Sequence, residues 1–153
     1  MYWEMSNTLA ANRISAVESE LNSENPNDKL NRYIEIADKY FAGQKYSVAR
    51  DYYIKANNID SNDPHVRSRF DEIDNISERV AALLQQGDEI CQRVNERYEE
   101  CIKHPDPVEL ANCARDYEEV LKTYKRALEL SNSDNDALKK VANIERRIRN
   151  INN

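Results

Sequence analysis

The sequence predicts an all-α protein that consists of antiparallel helix pairs. The 153 residues include only 2 Gly and 4 Pro, and residues that favour helices, such as Ala, Leu, Glu, Lys and Arg, are abundant. Apolar residues recur at helical spacing, and no convincing period-2 pattern of a strand is found. A shift of the sequence by 71 residues places one apolar pattern over another, which is typical of stacked helical units.

The first helix is predicted at residues 6–22, with Ser6 as a suitable N-cap. Its apolar stripe consists of Leu9, Ala10, Ile14, Val17 and Leu21. Pro26 is expected to end regular structure, and Asn27 or Asp28 can cap the next helix.

Two further helices are predicted at residues 29–42 and 46–58, and Gly43 marks the end of the earlier one. Both carry wide apolar stripes, formed by Leu30, Tyr33, Ile34, Ala37, Tyr40 and Phe41 and then by Tyr46, Ala49, Tyr52, Tyr53 and Ala56. Pro64 suits the first turn of the following helix, where its missing N–H is no loss.

After Pro64 the apolar pattern continues to the HPDP segment at 104–107. This is long for one globular helix, so we expect a break near Asp74–Ser77; a nearly continuous helix is the alternative. A second long stripe follows over 107–130, and a last helix carries Ala137, Val141, Ile144 and Ile148. If HPDP closes an antiparallel hairpin, Val94 lies opposite Tyr117 and Gly87 lies opposite Tyr124.

The segment LNRYIEIADKYFAGQKYSVARDYYIKANNIDSNDP resembles a tetratricopeptide repeat. The family's large–large–small–large–small–aromatic–small signature falls on Tyr33, Ile36, Ala37, Tyr40, Ala49, Tyr53 and Ala56. Ser61 stands where the family has a helix-terminating Pro, and the second copy is longer between Gly87 and Tyr117 than the first between Ala37 and Tyr46.

The resemblance implies a single domain, residues 1–153, with a tetratricopeptide-like α-solenoid fold. Repeat one would cover about residues 29–76 and an elongated repeat two about residues 78–150, with the helix at 6–22 in front. A plain helical bundle or a coiled-coil hairpin is the alternative fold.

The resemblance also implies a concave groove lined by the first helix of each repeat. The groove positions are Asn31, Ile34, Asp38 and Phe41 in copy one and Ala81, Leu84, Asp88 and Gln92 in copy two. Because Asp38 and Asp88 stand where a carboxylate-gripping subset of the family has Asn, we expect a protein or peptide partner with apolar anchors and basic flanks. The N-terminal helix could instead cover this face.

The charge distribution is uneven. Residues 137–153 hold five basic residues and one acidic residue, Glu145, which gives this segment a net charge of +4. Because the net charge of the whole chain is −6, residues 1–136 have a net charge of −10. An acidic body does not favour nucleic-acid binding, which needs an extended positive stripe. The basic tail is interpreted as complementing a helix dipole.

No apolar run in the sequence has the length of a membrane span, and the N-terminus lacks the layout of a signal peptide. We therefore expect a soluble, cytoplasmic protein.

The sequence contains no motif that favours catalysis or a bound metal or cofactor. Cys91, Cys101 and Cys113 form no CxxC pair, so reduced thiols are expected. Cys–His catalysis would require a thiol to meet His65 or His104 in a cleft, and His104 lies near Cys101 only because the turn is short, so this chemistry is not expected. The acidic pairs are interpreted as solvated helix surface.

Two functional hypotheses follow from these observations. The first is a non-catalytic adaptor or scaffold whose groove binds a peptide or helix, and a secretion-type chaperone is a special case of it. The second is a structural subunit of a larger or self-associated helical assembly, in which a homo-oligomer would cover the ends of a short solenoid.

Overall fold

The computed structural model describes residues 25–153, which are arranged as five helices and no strand. The helices are α1 (Pro26–Ala42), α2 (Tyr46–Ile59), α3 (Pro64–Lys103), α4 (Pro107–Leu130) and α5 (Asn135–Asn152). The predicted all-α class is therefore confirmed for this part of the chain. The helix predicted at residues 6–22 lies outside the described residues.

Asn and Asp side chains begin four of the helices. The Asn25 side chain accepts a hydrogen bond from the Asp28 amide at 2.9 Å at the start of α1. The corresponding caps of α3, α4 and α5 are Asp63, Asp106 and Asp134. The prediction that Asn27 or Asp28 caps α1 is wrong, because Pro26 occupies the first helical turn, where its missing N–H costs nothing.

Helix α1 ends at Ala42, as Gly43 predicts, but the left-handed residue that reverses the chain is Gln44, one residue after Gly43. Gln44 is the only described non-glycine residue with a positive φ, 59°. The Gln44 amide donates to the carbonyl of Phe41, and the Lys45 amide donates to the carbonyl of Tyr40 at 2.9 Å. This pair of bonds defines a Schellman motif, whose left-handed position usually holds Gly.

Gln44→Gly is expected to stabilise the protein by roughly 0.5–1 kcal/mol. Glycine removes the steric cost of a left-handed side chain, and part of that gain is lost to its greater freedom in the unfolded chain. Chemical denaturation measures the change, with Gln44→Asn as an intermediate case. An unchanged or lower stability would mean that the Gln44 side chain stabilises this turn through its own contacts.

Helix α3 is continuous over 40 residues, so the predicted break near Asp74–Ser77 is wrong. No Gly or Pro interrupts the helix between Pro64 and Gly87. Ile73 and Val80 are both buried, and their spacing of seven residues keeps them on one helix face. Length alone was therefore a poor reason to expect a break.

The chain divides into two compact units, residues 1–74 and residues 75–153. In the described part of the first unit, the core combines small residues with tyrosine rings. Its buried members are Tyr33, Ala37, Ala49, Tyr52, Tyr53, Ala56, Val66 and Ile73. The rings of Tyr40 and Tyr52 stack with centroids 5.7 Å apart. The three alanines are completely buried, which lets helices with bulky aromatic neighbours pack closely.

The second unit is a long hairpin of α3 and α4 with α5 packed beside it. Its principal core consists of Val94, Cys113, Tyr117, Val120, Leu121, Tyr124, Val141, Ile144 and Ile148. A smaller core holds Val80, Ala127 and Ala137. The predicted contact between Gly87 and Tyr124 is confirmed: a Cβ atom at Gly87 would lie 2.7 Å from Cδ1 of the Tyr124 ring and closer still to Cε1.

Gly87→Ala is expected to destabilise the second unit. Overpacking against the buried Tyr124 ring costs roughly 1–3 kcal/mol, which exceeds the gain of about 1 kcal/mol in helix propensity. Gly43→Ala, at the C-cap of α1, is the control for adding a methyl group without a clash, because a Cβ there has only ordinary contacts at 3.7 Å. Thermal denaturation compares the two variants, and a Gly87→Ala protein as stable as the control would contradict close packing of the ring.

Candidate functional site

Asp38, one of the predicted groove residues, lies at the centre of a polar network in the first unit. It follows the buried Ala37 on α1 and accepts a hydrogen bond from the Tyr53 hydroxyl of α2. His65 Nε2 lies 2.9 Å from Asp38 Oδ1 and donates to it, since an ionised carboxylate can only accept. Arg69 Nε is 3.6 Å from the same oxygen. Three helices therefore meet at one carboxylate.

These neighbours determine the ionisation of the first network. Burial alone would raise the pKa of Asp38, but hydrogen bonds from Tyr53 and His65 and the charges of His65 and Arg69 outweigh burial, so the pKa is lowered. Burial, followed by the hydrogen bond to Asp38, raises the pKa of the Tyr53 hydroxyl. At neutral pH the pair is therefore a carboxylate and a neutral phenol.

Phe41 and Ile34, the two apolar groove residues of the first unit, already have contacts within the chain. Phe41 meets the Tyr46 ring edge-on with centroids 5.3 Å apart. The Arg69 guanidinium stands 4.1 Å from the Phe41 ring centroid. Ile34 is half-buried and packs against the first core. Asn31 is exposed and borders an open depression of about 490 Å³.

Asp88 repeats the arrangement of Asp38 in the second unit. It follows the buried Gly87 on α3, and its Oδ1 accepts a hydrogen bond from the Tyr124 hydroxyl at 2.5 Å. Lys140 of α5 donates to both carboxylate oxygens, at 2.8 and 3.0 Å. The shift of 71 residues that aligns Tyr53 with Tyr124 also aligns Arg69 with Lys140. The two aspartates are 50 residues apart and do not follow this shift, because the second hairpin is longer. Each unit nevertheless combines a carboxylate, a phenol and a cation.

The second network has the same electrostatic balance as the first. Burial alone would raise the pKa of Asp88, but hydrogen bonds from Lys140 and Tyr124 and the charge of Lys140 outweigh it and lower the pKa. The Asp38 and Asp88 side chains are 36% and 48% exposed, so water and salt weaken both ion pairs.

The remaining predicted residues of the second unit differ in exposure. Ala81 and Gln92 are exposed on α3, whereas Leu84 is half-buried and packs against both cores of the unit. Asn31, Ala81 and Gln92 thus present their side chains to solvent, and the two carboxylates already have partners. The negative charge that suggested basic flanks on a partner is matched by cations within each unit.

An open cleft of about 210 Å³ between α3 and α5 was not predicted from the sequence. Its lining consists of Asp88, Cys91, Tyr124, Lys140, Asn143, Ile144 and Arg147. The alignment of Lys140 with Arg69 is the signal that could have identified this cation.

Lys139 and Lys140 lie in the first half of α5, and Arg149 is in its last turn. Complementing the helix dipole therefore explains Arg149 and not the two lysines, because the effect is confined to the end turns.

The three cysteines are free thiols. Burial is the main cause that raises the pKa values of the Cys91 and Cys113 thiols, which lowers their reactivity at neutral pH. Cys101 and His104 line one cavity of about 310 Å³ at the α3–α4 turn, but the Cys101 thiol points to the Asp106 carbonyl oxygen, 3.5 Å away.

Within residues 25–153, no group of three or more His, Cys, Asp or Glu side chains is placed to hold a metal ion. None of the helices described combines the length and the apolar character that a membrane span requires. Comparison with protein-family models, curated proteins and solved structures gave no significant match.

The protein is expected to lose stability in acid partly through Asp38 and Asp88. Because their folded-state pKa values lie below the unfolded value of about 3.9, their contribution is present above that pH and is lost as the pH falls through and below it. The free energy of unfolding, measured by denaturant titration between about pH 5 and pH 3, should therefore fall more steeply with decreasing pH for the wild type than for an Asp38→Asn, Asp88→Asn double variant. Parallel slopes would contradict the two networks.

Proposed function

We propose that this chain is a non-catalytic protein–protein interaction module, an adaptor or scaffold with a tetratricopeptide-like groove. The supporting observation is the repeated network: Asp38, Tyr53 and Arg69 in one unit correspond to Asp88, Tyr124 and Lys140 in the other. The bond between phenol and carboxylate recurs in both units, whereas the cation forms an ion pair at 3.6 Å in the first and hydrogen bonds in the second. A repeated helix-pair unit is typical of helical-repeat proteins, whose extended surfaces bind other proteins.

The proposed binding surface follows the first helix of each repeat. Asn31 is exposed and Ile34 is half-buried on α1, and Ala81 and Gln92 are exposed and Leu84 is half-buried on α3. The partner in this proposal is a protein or peptide, with no nucleic acid, membrane or cofactor involved, and the location is cytoplasmic. Basic flanks on the partner stay a prediction, now with less support because Asp38 and Asp88 are internally paired.

A substitution that adds bulk and charge at the groove is expected to remove partner binding without unfolding the chain. Ala81→Arg changes an exposed position of α3, and Ala111→Arg makes the same change at an exposed position of α4 outside the proposed groove. Both variants should keep wild-type stability within about 0.5 kcal/mol. Isotope-labelled capture from a lysate of the source cells should show proteins held by the wild type and Ala111→Arg but lost by Ala81→Arg.

Equal capture by both variants would overturn the groove as the binding surface. Loss of capture by both variants would show that the method does not distinguish binding faces, so a second pair of substitutions, Gln92→Glu in the groove and Gln86→Glu outside it, completes the design. Both glutamines are exposed on α3.

The second candidate function is a structural subunit of a self-associated assembly. Large apolar side chains remain exposed at the α3–α4 turn, where Ile102 is 57% and Val108 is 70% exposed, and Leu138 on α5 is 45% exposed. A contiguous patch of such side chains is typical of surfaces that associate, whereas single ones are normal on a monomer. Sedimentation velocity over a concentration series separates the candidates: a constant monomer favours the adaptor, and growth with concentration favours the subunit.

A further inference from the structure

The cleft between α3 and α5 carries two cations on one face of α5. Lys140 and Arg147 are seven residues apart, two helical turns, and both line the cleft together with Asn143 and the buried Ile144. Lys140 is held by Asp88 at 2.8 Å. One of the two positive charges is therefore balanced within the cleft.

Among residues 25–153, Arg147 has only neutral partners. Its Nη1 donates to the side-chain oxygen of Asn95 and to the Tyr117 hydroxyl at 3.3 Å. Its guanidinium also stands 5.9 Å from the centroid of the Tyr117 ring. In the part of the chain that the structure describes, no carboxylate forms an ion pair with Arg147. The charge is fixed in position by neutral groups and is not neutralised by them.

Other arginines of the protein contrast with Arg147. Arg97 is paired with Glu109 and Asp116, and Arg69 is paired with Glu72 and Asp38. A guanidinium offers five N–H donors in a planar fork that matches a carboxylate. Because the bonds of Arg147 to the described residues use only Nη1, its Nη2 and Nε donors remain for a ligand.

We infer that this cleft binds a carboxylate side chain from an acidic segment of a partner protein. The inference rests on the proposed adaptor function and names the chemistry of one further segment of the partner, separate from the basic flanks predicted for the groove. Arg147 would receive the carboxylate, and the Asn143 amide would add a donor, since the Asn143 side-chain oxygen already accepts from Arg146 at 3.2 Å. Ile144 and the Tyr124 ring provide apolar surface for the aliphatic part of a glutamate and its neighbours.

Charge favours a peptide over a nucleic acid at this place. Lys140 is paired with Asp88 in the same cleft, so Arg147 is the one cation lining the cleft without a carboxylate partner among the described residues. A phosphate backbone needs several cations along an extended path, whereas one fixed guanidinium suits a single carboxylate.

The test uses a fluorescein-labelled peptide of alternating glutamate and leucine with an amidated C-terminus. Fluorescence anisotropy measures its binding to the full chain, against the same peptide with glutamine or with lysine in place of glutamate. The glutamate peptide should bind at least about tenfold more tightly than the glutamine peptide, and more weakly at high salt. Free and amidated C-termini should bind alike, because the proposed ligand is a side chain.

The variants locate the binding. Arg147→Gln should weaken the glutamate peptide by about tenfold or more, while Arg149→Gln, a change of the same kind in the last turn of α5, should leave it unchanged. Because Arg147 also bonds to Asn95 and Tyr117, Asn143→Asp is a second variant: it keeps Arg147 but adds a negative charge to the cleft, and it should also abolish binding. Circular dichroism confirms that each variant is folded.

Three results would overturn the inference. These are equal binding by Arg147→Gln and Arg149→Gln, tighter binding of the lysine peptide, and displacement of the glutamate peptide by a single-stranded oligonucleotide with higher affinity. If the glutamate peptide does not bind and Ala81→Arg loses partner capture, the cleft is rejected as a carboxylate site and the proposed adaptor function stands. Arg147-dependent peptide binding with capture unaffected by Ala81→Arg would keep the cleft and reject the groove.

Discussion

The two units depend on one kind of interaction, a buried tyrosine whose hydroxyl reaches a carboxylate that follows a small residue on the paired helix. Tyr53 and Asp38 form this contact in one unit, and Tyr124 and Asp88 form it in the other. Each ring is almost completely buried, and its hydroxyl keeps a partner, as a buried phenol requires. The small residue sets how closely the helices approach, and the carboxylate places a charge where a third helix supplies a cation.

Much of the fold was predictable because helix faces follow from spacing in the sequence. The buried set Tyr33, Ala37, Ala49, Tyr53 and Ala56 lies on the predicted stripes, and the opposition of Gly87 and Tyr124 follows from the position of the HPDP turn. A continuous α3 was only the alternative prediction, since the length of the segment favoured a break although no Gly or Pro lies between Pro64 and Gly87. The left-handed conformation of Gln44 was not predicted, because the neighbouring Gly43 is the residue that a sequence pattern assigns to such a turn and glutamine rarely adopts a positive φ.

The candidate site was less predictable, because a pattern shows which face a residue occupies and not what else reaches it. Asp38 and Asp88 were expected to offer free negative charge, yet cations from the following helices reach both. The sequence places Arg147 in a basic helix end, whereas its neutral partners depend on Asn95, 52 residues away. Which cation meets which carboxylate depends on the packing of three helices, and that information is not local.

Gly87 and Tyr124 have a further consequence for how this sequence can change over evolutionary time. A larger residue at position 87 needs the ring at position 124 to be removed, and removal of the ring takes the phenol donor from Asp88. Lys140 would then hold a carboxylate that has lost one of its two partners. In diverging descendants of this chain, the glycine, the tyrosine and the aspartate should therefore be retained together or replaced together.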